Sequence, residues 1–388
     1  MLLHGFPEFW YSWRHQLSAL SSSGYAVAAP DMRGYGGTDS PSSSPGDRSA
    51  YGIRTLALDV VSAASALGYE EFAIVGHDFG SYLAWHVSLL HPERVWAVAG
   101  LSVPWAGRSP KDCGQLTALS RKYGNSLPGR QGGAPHASRE ERLRARFHYM
   151  LHHCLPGAAE EYGKNTGEAL YRMYAYHPGV ECEVGTPEVT DLRMFPPPQP
   201  PISPSGSGSN SGGEGVMRIG GNAATPAFPS PPRLPEELDA RCAPGFWSRL
   251  PRPASLPLWL SREDLNRYVA EFERTGFSGG LSWYGALDAN WEATSDLRGR
   301  RVTMPALFAA GDEDGVIRAN GGPGRVREGL EENCEDLRGC AFLGGGGHWI
   351  QQERPEEVNA MLLSFLESAR PAAAKDGVQE GTWRRSLL

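Results

Sequence analysis

Residues 76–80 (GHDFG) place a carboxylate between two glycines, after an apolar run and before a helical pattern. A sharp strand-to-helix turn needs small residues beside its apex, because the backbone packs closely on its neighbours there. The apex side chain then stands exposed at the edge of a sheet, where it can act as a nucleophile. We therefore predict a strand, a turn with Asp78 at its apex, and a helix. An ordinary turn in which Asp78 only caps the helix is the alternative.

Apolar and helical segments alternate around this turn. Buried strands are predicted at residues 1–3, 25–30, 72–75, 95–103, 302–310 and 340–343. Helices are predicted at residues 53–67, from Gly80 to the residue before Pro92, around residues 265–272 after the cap Ser261, and around residues 358–366. Such alternation predicts an α/β fold with a doubly wound, mostly parallel sheet.

The alternation is interrupted in the middle of the chain. We predict a core in two parts, residues 1–110 and 299–368, with an inserted helical cap domain at residues 111–298 and a flexible tail at 369–388. Within the cap, residues 195–235 are rich in Pro, Gly and Ser, and the whole chain holds 48 Gly and 31 Pro. Such a composition buries too little apolar surface to offset the loss of chain entropy, so we expect a disordered insertion.

Charge and composition exclude several classes of protein. A net charge of −7 provides no basic surface, so we expect no nucleic-acid partner. No apolar run is long enough to span a membrane and no secretory signal is recognisable, which favours the cytoplasm. The final Ser386-Leu387-Leu388 resembles a peroxisomal address only faintly. The six cysteines lack metal-ligand spacing, so we expect free thiols and no metal site. We also expect a monomer or homodimer.

A carboxylate nucleophile forms an ester with its substrate, and that ester must be cleaved by a water molecule that a base activates. His348 follows the last predicted strand and a run of four glycines, and we assign it as this base. The acid that orients it should follow the preceding strand, where residues 311–314 (GDED) offer three carboxylates. We assign Asp314 and hold Asp312 in reserve as a turn-capping residue.

Backbone N–H groups near the nucleophile should form an oxyanion hole. One is expected from Phe79, the residue after the nucleophile. The other is expected from Phe6 in the early loop His4-Gly5-Phe6-Pro7, whose Gly and Pro could otherwise mark a simple tight turn.

Several motifs in this order carry a family resemblance. They are residues 4–14 (HGFPEFWYSWR), 31–36 (DMRGYG), 76–80, 101–104 (LSVP), 311–314 and 347–349 (GHW). The chain resembles the soluble epoxide hydrolases of the α/β-hydrolase superfamily, most nearly the plant-type enzymes. The resemblance implies an α/β-hydrolase fold and hydrolysis of lipophilic epoxides, such as fatty-acid or aryl epoxides, to vicinal diols. It implies a small-molecule epoxide as partner and no metal or organic cofactor.

In that family two cap tyrosines hold and protonate the epoxide oxygen. Tyr149 matches one of them in a segment similar to the family's H-Y-x-x-R-F-Q-x-P-G, and Tyr284 matches the other in GGLSWY. Either could instead be a cap residue that only packs. The chain departs from the family pattern at His152, His153, Cys154, Gly285 and Phe79. We further assign Trp105, Trp283 and Trp349 to substrate binding.

Two other functions stay open at this point. A haloalkane or haloacid dehalogenase resembles this chain in fold, nucleophile and base, but haloalkane dehalogenases use an indole N–H where this chain has Phe79. A binding protein without catalysis is the second, because family members carry a β-hairpin and the start of a strand before the early loop. The chain begins at Met1 without them, which leads us to expect a truncated form or an exposed sheet edge.

Overall fold

The computed structural model describes residues 1–41, 49–108, 113–124, 149–155, 157–176, 250 and 252–370. The predicted disordered insertion at 195–235 lies outside these residues. The predicted tail at 369–388 lies outside them except for its first two residues, and Ala369 ends a helix. The predicted domain boundaries at residues 110/111 and 298/299 stay predictions.

In the described part of the chain, five parallel strands form one sheet in the order β1-β2-β3-β4-β5. They are β1 (Leu2–Leu3), β2 (Phe72–His77), β3 (Val95–Leu101), β4 (Val302–Gly311) and β5 (Cys334–Leu343). The first four strands are buried along most of their length, as is typical of a parallel sheet that is covered on both faces. In register, His77 pairs with Leu101 and Leu101 pairs with Ala309, so neighbouring strands end at the same edge.

Helices cover both faces of the sheet. They are α1 (Arg14–Ser22), α2 (Ile53–Ala66), α3 (Phe79–Leu90), α4 (Gln115–Gly124), α5 (Tyr149–His153), α6 (Ala158–Lys164), α7 (Thr166–Ala175), α8 (Arg262–Thr275), α9 (Ser278–Gly285), α10 (Leu287–Ala293), α11 (Gly315–Ala319), α12 (Gly322–Asn333), α13 (Ile350–Glu353) and α14 (Pro355–Ala369). One apolar cluster joins β-sheet residues to α1 and α14. The other joins them to α2, α3, α12 and the helices between β3 and β4. The fold is therefore the predicted α/β type with a doubly wound sheet.

Two strand predictions need correction. Residues 25–30 are not a strand: their side chains are only partly buried or exposed, Pro30 has no N–H to donate, and one backbone bond, from Leu2 N–H to Ala28 O at 2.8 Å, joins them to β1. The last strand begins at Cys334, six residues before the predicted start at 340. Its first half carries charged residues such as Asp336 and Arg338, which an edge strand tolerates because one side faces solvent.

Helix ends follow their sequence signals closely. Helix α2 ends at Ala66, and Gly68 continues with φ of 86° in the left-handed region that glycine adopts without strain. Ser261 caps α8 in a reciprocal capping box with Asp264, as the sequence predicts for Ser261. Within the residues that the structure describes, no helix combines the length and apolarity that crossing a membrane would require.

Helices α5, α7 and α9, which precede β4 in the chain, lie against the loops at the carboxyl edge of the sheet. The Tyr174 hydroxyl of α7 donates to the Pro7 carbonyl at 2.6 Å, and the indole N–H of Trp283 in α9 donates to the Arg33 carbonyl at 3.0 Å. These bonds join the helices to the early loop and to the loop before α2. The space between them is where the candidate site lies.

Candidate active site

Asp78 lies at the apex of a sharp turn between β2 and α3, with φ of 52° and ψ of −120°. This conformation is rare for a residue with a side chain and typical of strained functional turns. A Cβ on Gly76 would collide with the Gly80 carbonyl, and a Cβ on Gly80 would collide with the Leu3 carbonyl. The two glycines are therefore required by close backbone approach. The Asp78 side chain accepts no capping bond from α3, which argues against the alternative of a helix cap.

The structure brings Asp78, His348 and Asp314 together from three separate loops. His348 Nε2 lies 3.6 Å from Asp78 Oδ2, and His348 Nδ1 lies 3.1 Å from both carboxylate oxygens of Asp314. Asp314 is buried after β4 and also accepts the Val316 N–H at 2.8 Å, so its carboxylate is held in place. Asp312 accepts the Gly345 N–H at 2.8 Å, which is the turn-capping role held in reserve for it.

Electrostatics favour a charged nucleophile. Burial opposes ionisation of Asp78, but the neighbouring His348, the charge of His77 and the Phe6 N–H together lower the pKa of Asp78 below its usual value. Burial also opposes the charged form of His348, yet Asp314 and then Asp78 outweigh it and raise the His348 pKa well above its usual value. In the free protein Asp78 is therefore a carboxylate that faces a charged imidazole.

The early loop presents its backbone to the nucleophile. The Phe6 N–H donates to Asp78 Oδ1 at 2.9 Å, and the Phe6–Pro7 peptide bond is cis. Phe79 is the first residue of α3, a position whose N–H has no acceptor within its own helix. Phe6 is thus in place as one expected donor, and the role of Phe79 stays a prediction.

Tyr149 and Tyr284 come from α5 and α9, and their rings pack edge to face. Their ring centroids are 6.1 Å apart with an interplanar angle of 85°, and the Tyr284 ring also packs edge-on against Phe79 at 4.6 Å. Burial raises the pKa of both hydroxyls, and the negative charge of Asp78 raises it further. Both phenols are therefore protonated and able to donate a hydrogen bond.

The three tryptophans lie in different surroundings, and all are buried. Trp283 packs on Phe79 with centroids 5.7 Å apart, and Trp349 packs on His348 at 4.9 Å. Trp105 packs edge-on against His86 at 5.3 Å. Their assignment to substrate binding stays a prediction, with Trp283 and Trp349 in contact with other candidate site residues.

A buried ion pair behind the nucleophile was missed by the sequence reasoning. Glu8 Oε2 lies 2.7 Å from His77 Nδ1 and also accepts the Gly5 N–H at 2.9 Å, while His77 Nε2 lies 2.8 Å from the His348 carbonyl. Both ring nitrogens of His77 lie within hydrogen-bond distance of oxygen atoms. Burial would raise the pKa of Glu8, but His77 and the Gly5 N–H lower it overall.

This pair links the early loop, the nucleophile turn and the loop of His348. Its sequence signal was visible, because His77 interrupts an otherwise apolar strand and Glu8 follows the H-G-x-P motif directly. Neither residue could be paired with the other from sequence, since 69 positions separate them. No cluster of His, Cys, Asp and Glu that could hold a metal ion occurs among the described residues.

The fold and the site together define an α/β hydrolase, and comparisons with known proteins agree. A family model described as "alpha/beta hydrolase fold" matches residues 1–166. Epoxide hydrolase A of Mycobacterium tuberculosis is 38% identical over 94% of this chain and 89% of its own length. Epoxide hydrolase 3 of Siraitia grosvenorii is 31% identical over 94% of this chain and 90% of its own length.

Solved structures lead to the same family. The crystal structure of Epoxide Hydrolase A from Mycobacterium thermoresistibile matches with a TM-score of 0.67 and 36% identity, covering 94% of this chain and 90% of that one. The chain belongs to the epoxide hydrolases of the α/β-hydrolase fold. It is an enzyme that hydrolyses epoxides, which confirms the family and the activity that the motifs predicted.

Proposed function

We propose that the chain converts lipophilic epoxides to vicinal diols through a covalent ester on Asp78. The surroundings of the Asp78 carboxylate support this most directly. One carboxylate oxygen accepts the Phe6 N–H, and the other lies beside His348 Nε2. An ionised carboxylate in a restrained position can form the ester, and a neighbouring base can activate the water that cleaves it.

In the first step a carboxylate oxygen of Asp78 attacks an epoxide carbon, and the strained C–O bond breaks. The oxygen that leaves carbon takes a proton from the Tyr149 or Tyr284 hydroxyl, so that no free alkoxide forms. The phenolate regains a proton when the charged His348 imidazole releases one, which leaves His348 neutral for the second step. Phe6 and Phe79 pack on the Tyr284 ring, and these two apolar side chains suit a lipophilic substrate.

In the second step His348 removes a proton from water, and the resulting hydroxide attacks the ester carbonyl carbon of Asp78. The negative charge that develops on the ester oxygen is stabilised by the N–H groups of Phe6 and Phe79. As the intermediate collapses, the alkyl oxygen takes the proton of the hydroxyl group that water added, so the diol departs and the carboxylate of Asp78 is restored.

Dehalogenation is disfavoured by the indole groups of the site. The side chain of Phe79 carries no N–H donor, and the Trp283 indole N–H is already bonded to the Arg33 carbonyl. A halide ion would therefore lack the paired indole donors that such enzymes use.

Single turnover in ¹⁸O-water tests the ester mechanism. The purified 388-residue chain, in excess over a fatty-acid epoxide, is digested, and the peptide that contains Asp78 is analysed by mass spectrometry. We expect diol product and one heavy oxygen in the Asp78 carboxylate, because water attacks the ester carbon and the original oxygen leaves in the diol. The same reaction in ordinary water, and the Asp78→Asn variant assayed promptly, are the controls.

Diol formation without label in Asp78 would contradict the ester mechanism and point to direct attack of water on the epoxide. Folded protein that binds the epoxide but forms neither diol nor ester would favour the binding-protein alternative. Comparing a fatty-acid epoxide with a small polar epoxide tests the substrate class, and equal kcat/KM for both would contradict a lipophilic preference.

A further inference from the structure

The loop that carries His348 is held from both sides by groups outside the candidate site. Glu353, at the end of α13, accepts the Gly347 N–H on Oε2 at 2.6 Å and the Trp349 N–H on Oε1 at 2.8 Å. These are the residues directly before and after His348. One carboxylate therefore holds the backbone on both sides of the base through two charge-assisted hydrogen bonds.

The carbonyl of His348 is held as well. It accepts the Ser102 hydroxyl at 2.8 Å in addition to its contact with His77. Ser102 is fully buried after β3 and has φ of 66°, a conformation that residues with a side chain rarely adopt. Strain of this kind persists where the surroundings determine it, and it occurs often at functional sites.

The loop needs such support because of its sequence. Four consecutive glycines, residues 344–347, precede His348, and glycine has more backbone freedom than any other residue. The side chain of His348 is itself about a quarter exposed, so packing alone restrains it only in part. The bonds at Gly347, Trp349 and the His348 carbonyl restrain the residues next to the base, while Asp312 and Arg354 hold Gly345 and Gly344.

We propose that Glu353 and Ser102 are positioning residues that hold His348 where it can cleave the Asp78 ester. The proposal rests on the ester mechanism proposed above. Neither residue reaches the reacting atoms, so both act through the His348 loop.

The two reaction steps separate this role from a general structural one. Ester formation requires Asp78 and the cap tyrosines, whereas ester hydrolysis requires His348 as base. A displaced His348 therefore slows the second step alone, and the alkyl-enzyme accumulates. In the steady state kcat and KM fall together, because kcat/KM reports ester formation.

The experiment measures both steps in wild type and variants by rapid quench, with mass spectrometry of the Asp78 peptide. In Glu353→Gln the amide oxygen can still accept one of the two N–H groups, but the amide NH₂ group cannot accept the other. We expect ester hydrolysis about tenfold slower or more, from the loss of a buried charge-assisted bond, with ester formation unchanged. Ser102→Ala, which removes only the hydroxyl, should slow hydrolysis in the same direction.

Two further variants complete the design. Glu353→Asp keeps the charge and should recover part of the hydrolysis rate. Glu356→Gln replaces an exposed carboxylate in the first turn of α14 and should leave both rates unchanged. The amount of ester formed in the first turnover measures the amount of folded enzyme in every sample. If Glu353→Gln does not fold, Ser102→Ala and Glu353→Asp still provide the test.

Equal slowing of both steps, or no change in hydrolysis, would overturn the positioning role. If wild type itself never forms an ester on Asp78, the proposed mechanism fails and this inference fails with it. Ester in wild type without accumulation in the variants overturns the positioning role alone.

Discussion

At the scale of single residues, His348 lies between two carboxylates that together decide its charge. Because Asp314 and Asp78 raise its pKa against the effect of burial, we expect Asp78→Asn to lower the pKa of His348 and Asp314→Asn to lower it further. Ester formation also neutralises Asp78, so His348 should release its proton more readily in the alkyl-enzyme than in the free enzyme. Because the ester removes the negative charge of Asp78, His348 can act as a base in the hydrolysis step.

A proton NMR titration of the histidine rings measures this effect. His86, whose pKa burial lowers to about 4, is the internal control because neither carboxylate contributes to it. The rate of ester hydrolysis in wild type should rise with pH as His348 deprotonates. The midpoint of this rise should lie below the pKa of His348 in the free enzyme. An identical His348 titration in wild type and both variants would contradict this account.

At the scale of elements, the backbone on the two sides of the turn between β2 and α3 packs so closely that no side chain fits between them. Gly76→Ala would place Cβ against the Gly80 carbonyl, so we expect it to lower the free energy of unfolding by roughly 1–3 kcal/mol or more. Gly324→Ala is the matched control, because its Cβ meets nothing within 4 Å on an exposed part of α12. That change should raise stability by about 0.5–1 kcal/mol.

Urea denaturation of both variants checks the difference in sign. A Gly76→Ala protein as stable as wild type would show that the turn can relax, and the close contact would then not explain the glycine. Retained stability with lost activity would instead indicate that the turn serves catalysis more than folding.

The capping box of α8 offers a second prediction for an element. Ser261 accepts the Asp264 N–H at 3.0 Å, and Asp264 in turn accepts the Ser261 N–H. Ser261→Ala should therefore destabilise the protein by about 1 kcal/mol. Ser18→Ala, at an exposed interior position of α1, should be neutral or slightly stabilising, since alanine is the better helix former. Equal midpoints of chemical denaturation for the two variants would argue against the cap.

At the scale of the whole molecule, the two steps of the reaction draw on different parts of the structure. The tyrosines lie on helices that precede β4, whereas His348 follows β5, the last strand of the sheet. We expect Tyr149→Phe and Tyr284→Phe each to slow ester formation by about 10²–10⁴-fold, the usual contribution of a general acid. His348→Gln should instead leave ester formation in place and stop hydrolysis, so that the alkyl-enzyme persists.

Rapid-quench kinetics of the three variants on one epoxide tests this division of roles. Accumulation of ester in either tyrosine variant would contradict the assignment of the phenols to the first step. A smaller effect for one phenol than for the other would show which of them supplies the proton.

The sequence by itself determined what depends on neighbours along the chain. The turn at residues 76–80, the stop of α2 before Gly68 and the cap at Ser261 are each encoded within a few positions, because backbone geometry and capping are local. The order of the motifs was also enough to predict the fold class, the family and the activity. Apolarity alone led to a wrong prediction of a strand at residues 25–30, because a strand also needs hydrogen-bond partners for its backbone.

Only the tertiary structure decided which distant groups meet. Glu8 and His77 form an ion pair across 69 positions, and Ser102 bonds to the His348 carbonyl across 246. No local pattern specifies such contacts, because they depend on the sheet register and on the packing of loops at its carboxyl edge.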